Sequence, residues 1–409
     1  MSNSPSKVKG MINGSKIIKK IAKIPVLIFY RLLILINPVD KRMIIFESNL
    51  GRNYSGNPRF IYEEMVRRGL DREYSCYYIL EDLSIAIPGN VKKVKRKSFL
   101  YFMVFAKAGF WVSDTRMPAY LVKRKKTLYI QTWHGTPLKR LALDMFDVQM
   151  EGEKGIEDYK KKFVQNVRTW DYLLSQNRYS TEIFRRAFDF KKEILEFGYP
   201  RNDILINDNN FATIKTIKKA LNLPLDKKII LYAPTWRDNE HYGPQQYRFN
   251  TPMDYDYLKE RLGEDYVVIV KAHYLVSENL DFEKYKNFYY LFTSSFDIAE
   301  LYLIADVLIT DYSSVMFDYS ILQRPMIFYA YDLEDYKDKL RGFYFDFVNE
   351  APGPIVTTTK ELVEEIENYD YTKYKQKYEA FISKFNHTDK GDASKKVVDL
   401  ITSHGGTID

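Results

Sequence analysis

The chain has 409 residues, too many for one compact core, so at least two domains are expected. Cys76 is its only cysteine, which excludes a disulfide framework or a cysteine metal cluster and suits a reducing compartment. The net charge of +8 is local: residues 1–42 carry nine lysines and arginines against Asp40 alone, so the rest of the chain sums to zero, no broad basic surface for nucleic acid is indicated, and the 34 tyrosines are assigned to packing.

At the start of the chain, Lys16, Lys19, Lys20 and Lys23 share one helical face, and Ile17, Ile21, Ile24 and Ile28 share another. That is the pattern of an amphipathic helix lying on a membrane surface. Its apolar continuation, Ile24 to Ile36, is interrupted by Arg31 and ends before Pro38, well short of the ~20 residues that a bilayer crossing needs. No small-residue cleavage site follows, which disfavours a signal peptide. The alternative is a helix packed on its own domain.

From Met43 the pattern alternates between strand and helix. Apolar strands are predicted at MIIFES, YSCYYIL, FWVSD, TLYIQT, YLLSQ and ILEFG, with helices such as 58–68 and 98–107 between them. Residues 43–205 therefore predict an α/β domain with a mainly parallel sheet, after the arm at 1–42. A polar run from Tyr199 to Asn210 reads as a linker, and the pattern then restarts over 206–409. Strands KIILYAPT, YVVIVKAH, FYYLF, DVLIT and PMIFYA alternate with helices at 211–221, 254–261, 296–304 and 315–322. Helices near 360–368, 371–384 and 392–402 follow, one of them placed to fold back across the first domain. The fold class is two doubly wound, Rossmann-like domains in tandem.

Open parallel sheets place ligands at the carboxyl ends of their strands. His134 and His273, of five histidines, sit at such ends. His134 is followed by Gly135 and by Thr136-Pro137, a pattern that predicts a helix start beside a bend; there the imidazole is suited to act as a neutral general base. In the second domain Arg237, Lys271 and His273 end two strands, and Asp311-Tyr312-Ser313-Ser314 ends a third and opens a helix. The serines suit a helix cap whose backbone N–H groups face an anion, and Asp318 is placed to accept from a ribose hydroxyl. Together these groups describe a pyrophosphate pocket. Each has a plainer reading, as a structural histidine, a solvated cation or an ordinary helix cap.

The ordered set His134–Lys139 (HGTPLK), Tyr232–Arg237 (YAPTWR), Lys271-Ala272-His273 and Thr310–Ser314 (TDYSS), continuing to Phe317-Asp318 and Arg324-Pro325, resembles the CDP-glycerol glycerophosphotransferase family of teichoic acid biosynthesis. The segment from Glu47-Ser48 to Asn57-Pro58 resembles that family's glycine-containing loop. The resemblance implies a GT-B arrangement, two Rossmann-like domains facing a cleft. It also implies an enzyme on the cytoplasmic face of the cell membrane, attached peripherally through residues 1–38.

The donor it implies is CDP-glycerol, and the acceptor a polyprenyl-diphosphate-linked disaccharide. His134 becomes the base and His273 a donor-side contact; Arg237, Lys271, Asp311, Ser313, Ser314 and Asp318 become donor-binding, and Gly135, Thr136 and Asn57 acceptor-side. Neither a cofactor nor a metal is implied, and a homo-oligomer is compatible with the sequence. The short arm favours a primase or short-transfer enzyme. A poly(glycerol phosphate) polymerase and a CDP-ribitol enzyme are the alternatives, followed by a GT-B nucleotide-sugar glycosyltransferase or an inactive membrane scaffold.

Overall fold

In the computed structural model, residues 23–147, 155–235, 241–243, 246–247, 253–271, 284–292, 296–333 and 342–405 are described. They form two parallel sheets. The first has seven strands in the order β3-β2-β1-β4-β5-β6-β7, with β1 at Asp40–Glu47, β2 at Ser75–Leu80, β3 at Lys92–Lys95, β4 at Ala108–Ser113, β5 at Leu128–Gln131, β6 at Tyr172–Ser175 and β7 at Glu193–Glu196. The second has six: β8 at Lys228–Ala233, β11 at Tyr266–Lys271, β12 at Tyr289–Phe292, β13 at Val307–Thr310, β14 at Met326–Tyr329 and β15 at Ile355–Val356, in the order β12-β11-β8-β13-β14-β15. A small antiparallel pair, β9 at His241–Gly243 and β10 at Gln246–Tyr247, stands apart. In both sheets the strand order reverses beside the first strand, opening a crevice between β1 and β4 and another between β8 and β13.

Burial on both faces explains the continuous apolar runs. Ile44 and Phe46 pack on one side of β1, and Met43 and Ile45 on the other. The helix Gly56–Arg67 covers the first side together with Ala393–Gly405. That last helix buries Val397, Val398 and Ile401 in the core of the first sheet, so it is the tail helix that folds back across the first domain, as one of the three is expected to do.

The helix Lys23–Ile36 has two distinct faces. Tyr30 and Leu33 are buried, and Phe29 and Tyr30 meet rings of the helix Phe99–Lys107, with Phe29–Phe99 centroids 5.7 Å apart. Leu35 (80% exposed), Ile36, Leu32 and Ile28 face outward beside exposed Phe99 and Leu100. This stretch of the arm is thus partly a packed helix and partly a free apolar surface. Residues 1–22, which hold Lys16, Lys19 and Lys20 of the expected lysine face, lie outside the described residues. Among the described residues no helix is long and apolar enough to cross a membrane.

The domains are joined by an unusual use of a helix start. Asp297 and Glu300 form a capping box on the helix Ile298–Ile304. The same two carboxylates reach across the interface: Asp297 Oδ2 accepts from Gly56 N at 2.6 Å, and Glu300 takes both terminal nitrogens of Arg59 at 2.9 and 3.2 Å.

Ile401→Ala removes a fully buried side chain from the returning helix and is expected to cost about 2–5 kcal/mol. Thermal unfolding of the full chain checks it; an unchanged midpoint would show that the helix is not docked on the first sheet.

Candidate active site

His134 lies just beyond β5 at the carboxyl edge of the first sheet, on a loop whose shape is fixed on both sides. Asn57 donates to the carbonyls of Thr132 at 3.1 Å and Trp133 at 3.0 Å. Trp133 adopts a left-handed backbone with φ +51°, a conformation that an L-residue keeps only when its surroundings hold it, and its indole stacks on the imidazole with centroids 4.4 Å apart. Beyond Pro137 the expected helix start is absent. Residues 138–140 run extended instead, bonding to 342–344 of the second domain through Arg140 N to Gly342 O (3.0 Å) and Tyr344 N to Leu138 O (2.8 Å). Thr136 caps no helix; its buried hydroxyl donates to Gln176 Oε1.

The imidazole has one assigned bond. Nδ1 lies 2.9 Å from the carbonyl of Asp114, and a carbonyl only accepts, so Nδ1 carries the hydrogen and Nε2 keeps its lone pair. One edge of the ring is open to the cleft while protein crowds the rest. Desolvation holds its pKa below the usual histidine value; the bond to Asp114 opposes this, and the guanidiniums of Arg201 and Arg116 reinforce it. The resting form is therefore a neutral base with Nε2 available.

Each sheet closes its crevice with the same device. Asp114, directly after β4, accepts from Asn49 N beyond β1 at 2.8 Å. Asp311, directly after β13, accepts from Thr235 N beyond β8 at 2.7 Å. Burial pushes the Asp114 carboxyl up to about 7. Asp311 thus shapes the turn after β13 through a backbone clip. The serines after it follow the strand as expected but cap differently: Ser314 makes no side-chain cap bond, and the helix Val315–Tyr319 is a single short turn. Ser313 and Ser314 instead face His134, Gly135 and Lys139 across a cavity of about 330 Å³ between the domains, which Pro234 and Thr235 also line. A Cβ at Gly135 would meet Ser314 Oγ at 3.2 Å, so the glycine permits the close approach of the walls.

Asp318 and Asn57 are placed differently from expectation. Asp318 is buried with both oxygens engaged, one by Arg201 Nη2 and the other by Asn202 Nδ2 at 2.9 Å, so it stands as a strut between domains rather than facing a ribose. Asn57 is buried under the His134 loop and also accepts from Arg201 N at 3.2 Å, which makes it a positioning residue. Lys271 ends β11 and donates to Phe296 O at 3.1 Å; desolvation lowers its pKa, offset by Asp297 and Glu300. Arg237 and His273 lie outside the described residues.

Sequence reasoning misses Arg201, which joins the His134 carbonyl (Nη1, 2.9 Å) to Asp318. The one available signal is the Tyr-Pro-Arg-Asn-Asp run, whose polarity reads as a linker.

The chain matches the CDP-glycerol:poly(glycerophosphate) glycerophosphotransferase family over residues 28–403. It is 48% identical over 369 residues to the teichoic acid poly(glycerol phosphate) polymerase of Bacillus subtilis (strain 168), which covers 89% of this chain and 49% of that protein. The polymerase of the same description from Bacillus spizizenii (strain ATCC 23059 / NRRL B-14472 / W23) is 45% identical over 390 residues, 94% of this chain and 98% of the relative. The chain thus spans about half the length of the first relative and nearly all of the second. The solved structure of the wall teichoic acid polymerase TagF superposes with a TM-score of 0.88 at 43% identity over 99% of both chains, and a variant of it soaked with CDPG superposes equally well. With two parallel sheets facing a cleft, as in that structure, the chain belongs to the CDP-glycerol:poly(glycerophosphate) glycerophosphotransferase family.

Proposed function

We propose that the protein transfers glycerol phosphate from CDP-glycerol to a hydroxyl of a lipid-linked teichoic acid acceptor, releasing CMP. The observation that carries this reading is the Nδ1–Asp114 bond, which leaves the Nε2 lone pair free on a neutral His134 that lines the interdomain cavity with Ser313 and Ser314. Nε2 takes the proton of the acceptor hydroxyl. The acceptor oxygen bonds to the glycerol-bearing phosphorus while the bond to the bridging oxygen breaks, and CMP leaves with that electron pair.

The donor diphosphate is assigned to the second-domain wall. There Ser313, Ser314 and Lys271, with Arg237 and His273 from sequence, are suited to offset its charge. We take the transfer to be metal-independent on that donor set. Chain extension is favoured over the single-unit addition expected from the sequence, because the two relatives described above, 48% and 45% identical to this chain, are poly(glycerol phosphate) polymerases. The same relatives favour glycerol over ribitol in the donor.

A membrane-surface location is also proposed. The exposed row Ile28, Leu32, Leu35 and Ile36 continues into Phe99 and Leu100 and adjoins the most basic part of the sequence, a combination suited to an anionic lipid surface.

CMP release and product mass, measured with CDP-glycerol or CDP-ribitol and a lipid-linked acceptor, test the reaction. A ladder of glycerol phosphate products, undiminished by EDTA, is expected. His134→Asn is expected to lower kcat by about 10²–10⁴-fold. The wild-type rate should fall on the acid side, as His134 takes up a proton, with an apparent pKa below 6.5. Turnover of CDP-ribitol alone would reject the donor, and a variant as fast as wild type would remove His134 from the mechanism.

Gly135→Ala presses a methyl group against Ser314 and is expected to raise KM for CDP-glycerol by about tenfold, from a packing strain of 1–3 kcal/mol; an unchanged KM would show that the two walls do not both border the donor.

For the membrane surface, Leu32→Glu/Leu35→Glu leaves Tyr30 and Leu33 packed. It should shift the protein from phosphatidylglycerol vesicles to the supernatant on sedimentation, whereas full cosedimentation would rule this surface out.

A further inference from the structure

His134 stands in a wall shared by two cavities. One is the interdomain cavity described above. The other, of about 760 Å³, lies within the first domain, and His134, Trp133, Arg116, Phe163, Tyr159 and Leu141 are among its lining. An in-line displacement brings the attacking oxygen and the leaving group to opposite sides of phosphorus. With the donor between the domains, the hydroxyl that His134 deprotonates has the first-domain cavity to approach from.

The chemistry of this second cavity is specific. Its walls are largely aromatic and apolar, and Arg116 brings a guanidinium into them, 4.7 Å from the Phe163 ring centroid and 5.5 Å from that of Tyr159. Among the described residues Arg116 pairs with no carboxylate, whereas Lys162 on the same lining is paired with Asp158 at 2.7 Å. The backbone on both sides of Arg116 is pinned. Thr115 O accepts from Tyr129 Oη and Gln131 Nε2, each at 3.0 Å, and Met117 O accepts from Asn166 Nδ2 at 2.7 Å. Asn166 is itself held by Trp170 Nε1 at 3.2 Å. A guanidinium held on pinned backbone, stacked on rings and near the base is built to bind an anion, and it presents a planar fork suited to phosphate.

In a chain of glycerol phosphates the terminal hydroxyl is separated from the next phosphodiester by one three-carbon unit. Building on the glycerol phosphate transfer proposed above, we propose that the first-domain cavity is the acceptor site and that Arg116 binds the phosphodiester nearest the attacking hydroxyl. The aromatic walls take the carbon skeleton, and His134 takes the proton. Arg116 thereby makes the enzyme prefer an acceptor that already carries a phosphodiester.

The test compares two soluble acceptors ending in the same glycerol, one joined through a phosphodiester and the other through a neutral ether, with CMP release measured at saturating CDP-glycerol. Wild-type protein is expected to show a KM about tenfold lower for the phosphodiester acceptor. Arg116→Gln keeps the side-chain stem on Phe163 and should erase that preference while leaving KM for CDP-glycerol as it was; Arg116→Lys should restore part of it. A preference that survives in Arg116→Gln, or a wild type that lacks one, overturns the assignment. If wild-type protein releases no CMP with either acceptor, the transfer reading itself fails and this inference falls with it. A change of donor KM in step with acceptor KM would mark Arg116 as a structural support and overturn the proposal.

Discussion

Arg201 and Asp318 form an ion pair drawn out of water at the junction of the domains, with side chains only 12% and 2% exposed, and the geometry of the site hangs from it. Removing two charges from water is costly, and their attraction offsets the cost only when the remaining hydrogen-bonding positions are also engaged. Here much of that is met: Asn202 takes the other oxygen of Asp318, and a second arm of Arg201 donates to the carbonyl of His134. The energetic requirement of the pair and the position of His134 are therefore one constraint. A shift of either domain would strand a buried charge and displace the histidine loop together.

The other interdomain contacts follow the same economy. Asp297 and Glu300 cap their own helix and clamp Gly56 and Arg59 of the opposite domain. The loop after His134 pairs as a short extended strand with residues near Phe343. Gly135 sits between these fixed points, where the walls come close enough that only a hydrogen fits comfortably in place of a side chain.

Within each domain the topology supplies the crevice and an aspartate fixes its mouth. Asp114 and Asp311 occupy equivalent places, one residue past the fourth strand in chain order of each sheet, and both accept from a backbone amide beyond the first strand. In the first domain the same residue's carbonyl takes Nδ1–H of His134. The tautomer that leaves the Nε2 lone pair of His134 free is thus set by the backbone at a topological switch point.

Much of this protein is legible without coordinates. Apolar strands, alternating with helices and restarting after a polar break, specify two parallel sheets, because strands buried on both faces must be continuously apolar. The lysine-rich β3 and the two-residue β15 carry too little apolar pattern to be read. Strand-end motifs point to His134 and to the Asp311–Ser314 turn, because residue type and position at a sheet edge are local properties of the chain. What only the tertiary structure decided is which polar group meets which. Asp318 and Arg201 are 117 residues apart and find each other through domain packing, so a carboxylate that reads as a ribose contact becomes a strut, and an arginine that reads as linker becomes the hub. Periodicity and propensity act along the chain, whereas buried charges choose partners across it, where desolvation leaves them no alternative.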